Sequence, residues 1–228
     1  MTEIWHGLVK AIELIISLDP EVMEIAGRSL MISVTSTLLA ALICMPLGGL
    51  IHFSRFPGKR ILINLIQTFY SIPTVVVGLF VFVLLSRAGP LGGLHLLSTP
   101  TAMIIGQMIL VMPILLGLTI SALSGVDKVI SDTARSLGAG GFQTVAVILK
   151  EARFAVMAAA ILGFGRAISE VGLALMVGGN IKGFTRVFTT AISLETSKGD
   201  IELSIALGII LIFIALVINI VLNRLQQR

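Results

Sequence analysis

Apolar residues in this chain come in long blocks separated by short polar stretches, and block length sets the first expectation. Five blocks, at about residues 30–53, 61–85, 101–123, 154–177 and 203–225, carry few charges. At about 1.5 Å of rise per residue, each is long enough to cross roughly 30 Å of hydrocarbon with some tilt. Lipid supplies no hydrogen-bond partners, so these blocks are expected as helices, and no alternating in-and-out pattern suggests a barrel. A shorter stretch precedes them. Within residues 3–17, Trp5, Leu8, Val9, Ile12 and Ile16 fall on one helical face, and His6, Lys10, Glu13 and Ser17 fall on the other. That period predicts a helix lying in the membrane interface. Glu3, Glu13 and the missing small-residue cleavage site argue against a signal peptide. Asp19-Pro20 should end the helix, because proline disfavours a helical residue before it.

The connections differ in character. Residues 89–93 form a Gly/Pro turn, Gly178, Gly179 and Asn180 break the fourth block, and residues 185–197 are read as a short helix before Gly199. No internal repeat and no appended soluble domain stands out, so residues 1–228 read as a single transmembrane domain.

Composition agrees with the blocks. Of 228 residues, 56% are hydrophobic and 12% are charged, against about 45–50% and about 25% in soluble domains. The net charge of +4 does not indicate nucleic acid, because the basic residues sit at block edges and form no stripe. Cys44 is the single cysteine, so there is no intrachain disulfide. His6, His52 and His95 lie far apart without partners at ligand spacing, and neither a metal site nor a cofactor is expected.

Basic residues also set an orientation. The loop after the first block, the segment between the third and fourth, and the C-terminus must share a side. They hold Arg55, Lys59, Arg60, Lys128, Arg135, Lys150, Arg153, Arg224 and Arg228. The other side holds Lys10, Arg28, Arg87, Lys182, Arg186 and Lys198, together with most of the acidic residues. Nine against six favours an outside N-terminus and an inside C-terminus.

The inner segment between the third and fourth blocks carries the most information. Asp127 is a good N-cap, Ile130, Thr133, Ala134 and Leu137 make a short apolar face, and Gly138 to Gly141 surround a turn. A helix of two to three turns is not stable alone and needs a partner surface. A second amphipathic stretch, 142–153, leads into the fourth block.

This arrangement resembles the cytoplasmic EAA loop of ABC importer permeases. Asp132-Thr133-Ala134 stands where Glu-Ala-Ala is usual, Gly138 is the key glycine and Ile148-Leu149 the hydrophobic pair, while Lys150 replaces the usual proline. Ser71-Ile72-Pro73-Thr74, the stretch from Arg166 to Gly172, and Ser17 to Val22 look like the molybdate/tungstate branch, and most like tungstate-transporter permeases. The resemblance implies a permease fold of about five spans with an outer helix at 1–20 and a cytoplasmic coupling loop at 127–153. It also implies a homodimer, two ATP-hydrolysing subunits docked on Asp132, Thr133, Ala134, Arg135, Leu137, Gly138 and Ala139, a substrate-binding protein outside, and a place in the cytoplasmic membrane. Tungstate is the implied cargo, with molybdate, sulfate or phosphate as alternatives. The chain itself is expected to be no enzyme. Its Gly58-Lys59 pair is followed by Arg60 and lacks the upstream glycine of a phosphate-binding loop.

Polar groups within the blocks are candidates for a path or gate: Ser71, Pro73 and Thr74 in the second, Arg166, Ser169 and Glu170 in the fourth. Arg166 and Glu170, four apart, share a helix face and either glue the fourth span to its neighbours or line the path. Pro73 removes a backbone donor and loosens its helix. Gln107 and Pro113 in the third block are weaker candidates of the same kind. A secondary transporter is the rival reading; it would often show paired repeats or helices broken in both halves.

Overall fold

A computed structural model describes residues 2–226, and these form ten α-helices with no strand among the described residues. Helix α1 (Thr2–Ile16) ends before Asp19, whose carboxylate Oδ1 accepts the Val22 N–H at 3.0 Å and caps α2 (Pro20–Phe53). Proline at the first helical position is favoured because its missing donor has no helical partner there anyway. The helix runs on through Pro46, so α2 has 34 residues and starts earlier than the apolar block suggests. Its added first turns serve the protein, not the lipid. Glu21 binds Lys182 and Arg186 at 2.7 and 3.3 Å, and Arg28 donates to the Arg186 carbonyl at 2.8 Å.

Helix α1 keeps the face with Trp5, Ile12 and Ile16 exposed, as the pattern predicts. The structure adds a seam that the pattern hides: Ala11 and Leu14 are buried, and Gly7 lies close against Ile205 of α10 (Ile201–Gln226). The helix is therefore docked on α10 as well as amphipathic.

Helix α5 (Pro100–Ser124), capped by Thr99, lies against α2 and against α8 (Arg153–Ile168). Small residues make this centre: Ala40, Ala41, Cys44, Ala159 and Ala167 pack on Val111 and Leu115. Small side chains let membrane helices approach closely, and dispersion then replaces the hydrophobic effect as the cohesive term.

Two of the five expected spans are not continuous helices. The second block divides into α3 (Lys59–Thr68), a 3-10 turn at Phe69–Ser71, and α4 (Thr74–Leu85), and its two arms meet at 97°. Pro73 accounts for a break but not for so sharp an elbow. The angle is fixed by Tyr70, whose hydroxyl sits where Gly117 of α5 has no side chain; a Cβ there would lie 1.7 Å from the phenol oxygen. The fourth block likewise stops at Ile168 and resumes as a π turn at Ala174–Gly178. Helices α2, α5 and α10 are each long and apolar enough to cross a membrane, and the bent pair makes a fourth if counted as one span.

The remaining elements are α6 (Lys128–Ser136) and α7 (Gly141–Glu151) at one end of the bundle, and α9 (Phe188–Lys198). Helix α9 matches the short helix read at 185–197, and Gly199 ends it at φ 84°.

Candidate functional site

Two regions hold the residues singled out in the sequence. The first is α6. Asp127 Oδ1 accepts the Val129 N–H at 3.0 Å, so the predicted N-cap forms. At the other end Gly138 takes φ +89°, Gly138 N–H donates to Arg135 O and Ala139 N–H to Ala134 O, both at 3.0 Å. This crossed pair satisfies the last carbonyls and needs a left-handed residue at position 138. A Cβ on Gly138 would meet nothing within 4 Å, so the demand for glycine is one of backbone angle and not of space.

The faces of α6 differ from the expected division. Ala134 is buried and Ile130 half-buried against Leu123, Ile148 and Ala152. Val129, Thr133 and Leu137 form the adjoining stripe, exposed, with Leu137 83% open. Asp132 and Arg135 are exposed and Ala139 half-exposed. The expected apolar face is thus split: one half holds α6 to the body, the other stands open. Phe142, 78% exposed at the start of α7, adds to the open apolar surface. Val129 and Phe142 escaped sequence reasoning because burial, not residue type, distinguishes them from their neighbours. Beneath α6 lies a cavity of about 720 Å³, lined among others by His52, Arg55, Lys59, Asp132 and Arg135.

The second region is the break after α8. Glu170 is 3% exposed, and Arg166 Nη1 donates to its Oε2 at 2.8 Å. Oε1 accepts the Leu173 N–H at 3.0 Å, and the Glu170 carbonyl accepts the Thr189 hydroxyl of α9 at 2.7 Å. The four-residue spacing correctly pairs Arg166 with Glu170, but Glu170 stands past the end of the helix, where it caps the chain that follows. A buried carboxylate held by a cation and a backbone N–H is compensated on both oxygens. Thr189 was not foreseen; its role depends on a contact between segments distant in sequence.

Thr74 joins this region. A Cβ placed on Gly172 would lie 3.4 Å from Thr74 Oγ1 and 3.7 Å from Glu170 Oε1, so the elbow of the second block and the break of the fourth meet around Gly172. Ser71, Pro73 and Ser169 are exposed nearby in sequence, while Arg166 is 31% exposed. Gln107 does not belong to this group. It is buried in α5, and its Oε1 accepts the Ser36 hydroxyl of α2 at 3.1 Å, which ties two helices together.

A capped helix with an open stripe at one end, beside interrupted helices with polar linings, is the outline of a transport component. Residues 44–228 match the family described as binding-protein-dependent transport system inner membrane component. The chain belongs to that family. It is 44% identical over 227 residues, the whole of both chains, to the tungstate uptake system permease protein TupB of Peptoclostridium acidaminophilum. A permease of the same name from Campylobacter jejuni is 39% identical, with 98% of this chain and 94% of the relative covered. A probable anion ABC transporter permease protein of Haloferax volcanii is 40% identical over 90% and 91% of the two chains. Among solved structures, a bacterial ABC transporter involved in the import of the acidic polysaccharide alginate superposes with a TM-score of 0.67 over 88% of this chain and 78% of its own. At 19% identity that match speaks for the fold alone. This permease is accordingly a multi-pass membrane protein and a transport subunit.

Proposed function

We propose that the permease moves tungstate inward across the cytoplasmic membrane as a homodimer driven by two ATP-hydrolysing subunits. The observation that carries the mechanism is the open stripe Val129–Thr133–Leu137 on a helix capped at both ends. A helix this short keeps its shape only through its caps and its seat on the body, so it can pass a push without melting. The loop 127–153 then lies in the cytoplasm and the ATPase receives residues Asp132 to Ala139. On the outer side a substrate-binding protein delivers cargo near residues 178–199, beside the interfacial helix of residues 1–20.

The path lies along Ser71, Pro73, Thr74, Arg166 and Ser169. Exposed hydroxyls and a partly open guanidinium at membrane depth find no partners in lipid. A second copy facing this side encloses them in a water-filled conduit. Glu170 is the structural member of the ion pair and Arg166 the member that attracts an oxyanion. Hydrolysis alternates access from outside to inside; no covalent chemistry takes place in this chain.

Support for tungstate comes from the full-length identity with the tungstate permeases. Molybdate is the second reading, because two tetrahedral dianions differ little in charge and a separate binding protein can do the choosing. The test is ATPase stimulation of the reconstituted complex by binding protein loaded with tungstate, molybdate, sulfate or phosphate. Tungstate should stimulate most, and stimulation by sulfate or phosphate alone overturns the cargo. A permease that leaves the membrane without an ATPase subunit overturns the mechanism.

A further inference from the structure

The side opposite α6 carries six cations, Lys10, Arg28, Arg87, Lys182, Arg186 and Lys198. Five of these hold a carboxylate: Lys10 with Glu13, Arg28 with Glu24, Lys182 and Arg186 with Glu21, Lys198 with Glu195. Arg87 alone has no acidic partner within 4.0 Å among the described residues, and the connection from 86 to 99 contains no Asp or Glu. The other five share four carboxylates, whereas Arg87 has none, so its own charge stands unopposed at that loop.

That place is also shaped. Arg87, His95 and Ser98 line a cavity of about 310 Å³ together with Leu85, Gly92 and Leu97. Two of the three polar residues have left-handed backbones, His95 at φ 50° and Ser98 at φ 61°. Non-glycine residues rarely adopt that region, and they cluster where a loop is held for function. The loop is tied to the π turn, since Ser98 N–H donates to Val177 O at 2.9 Å. Directly after that turn Asn180, also left-handed at φ 51°, keeps a buried Oδ1 without a hydrogen-bond partner.

We infer that Arg87, His95 and Ser98 form a low-affinity binding site for a tetrahedral oxyanion, the first stop between the delivering protein and the conduit. The inference rests on the proposed orientation and cargo class. The cavity holds the volume of about ten liquid waters at roughly 30 Å³ each, so an anion enters still partly hydrated. A stop on a conduction path has to bind well enough to admit the ion and weakly enough to release it. A single guanidinium with a hydroxyl and an imidazole fits that requirement better than a fully dehydrating cage. A lipid headgroup phosphate shares this chemistry, and the test separates the two sources.

The test uses the complete transporter in proteoliposomes with Ser98→Cys, or His95→Cys if the first variant fails to assemble. Native Cys44 is fully buried, so labelling of this chain reports the new thiol. The rates of an anionic and a cationic methanethiosulfonate reagent are compared, with and without Arg87→Gln. The expected result is that the anionic reagent slows about 5-fold when Arg87 is replaced while the cationic reagent does not slow, the effect of one charge about 4 Å away in water. Millimolar tungstate should slow labelling several-fold when Arg87 is present and not when it is replaced. An unchanged rate ratio, or no protection by tungstate, molybdate, sulfate or phosphate at tens of millimolar, overturns the site. If phosphatidylglycerol in the vesicles protects the thiol and tungstate adds nothing, the occupant is a headgroup and the inference is likewise overturned. Tungstate uptake by the same vesicles is scored separately. Uptake without protection removes this site alone, whereas protection by an anion other than tungstate, matched by its uptake, keeps the site and changes the cargo.

Discussion

Glu170 takes part in four hydrogen bonds, two at its carboxylate, one at its carbonyl and one from its N–H to the Ala167 carbonyl, and these join α8, the turn after it and α9. Removing one partner of a buried ion pair is worse than never having the pair, because the remaining charge stays in low dielectric. Arg166→Ala should therefore lower permease stability by about 3 kcal/mol. Thr189→Val, which removes one neutral hydrogen bond at nearly constant shape, should lower it by about 1 kcal/mol. Both are read as thermal or denaturant midpoints of the detergent-solubilised transporter. Equal effects of the two variants would show that the Glu170 charge is not buried as described. The sequence revealed the pair through its spacing. It could not reveal that Glu170 ends the helix, since neither proline nor glycine stands at 169–171. The break combines a local cap on the Leu173 N–H with a tertiary bond from Thr189, and no local pattern encodes the second.

Among the elements, α6 was the most legible and the elbow of α3 and α4 the least. Caps are written locally: Asp127 at the start and Gly138 at the end act within a few residues of themselves. Because the space around Gly138 is open, only the backbone angle should matter there. A left-handed residue other than glycine costs about 1–2 kcal/mol, with asparagine the best tolerated. Co-purification of the ATPase should fall in the order Gly138, Gly138→Asn, Gly138→Ala, Gly138→Val. Gly138→Asp, which adds charge to the docking end, should uncouple hydrolysis from uptake. Normal coupling in Gly138→Val would remove the lever. The 97° elbow depends instead on Tyr70 lying against Gly117. Gly117→Ala should destabilise by about 1–3 kcal/mol through overpacking. Because the two residues touch, a double-mutant cycle with Tyr70→Ser should be strongly non-additive, with the second change relieving the first. Pro73 announced a weak point, but a contact between two separate helices decides its angle.

For the whole molecule, hydropathy blocks were a sound guide to membrane residence and a poor guide to continuity. Apolar length reports what lipid tolerates, and it is blind to an interruption whose backbone groups are satisfied by neighbouring protein. The interruption after Ile168 is of this kind, its Glu170 carbonyl taken by Thr189, and it meets the elbow after Ser71 around Gly172. Sidedness is open to direct test. Single cysteines at Val129 and Leu137 should react with a membrane-impermeant reagent only from the inside, and reaction from the outside would invert the proposed topology.

Helix α2 shows what such a layout permits. Its 34 residues extend for about 51 Å, some 20 Å more than the hydrocarbon they cross. Glu21 sits near one tip, clasping Lys182 and Arg186, while His52 at the other borders the cavity under α6. A seesaw of this length turns a sway of ten degrees into a relative displacement of about 9 Å between its tips. Strokes made by the motor could thus be felt at the far mouth through one covalent beam, without any chain of side-chain handovers.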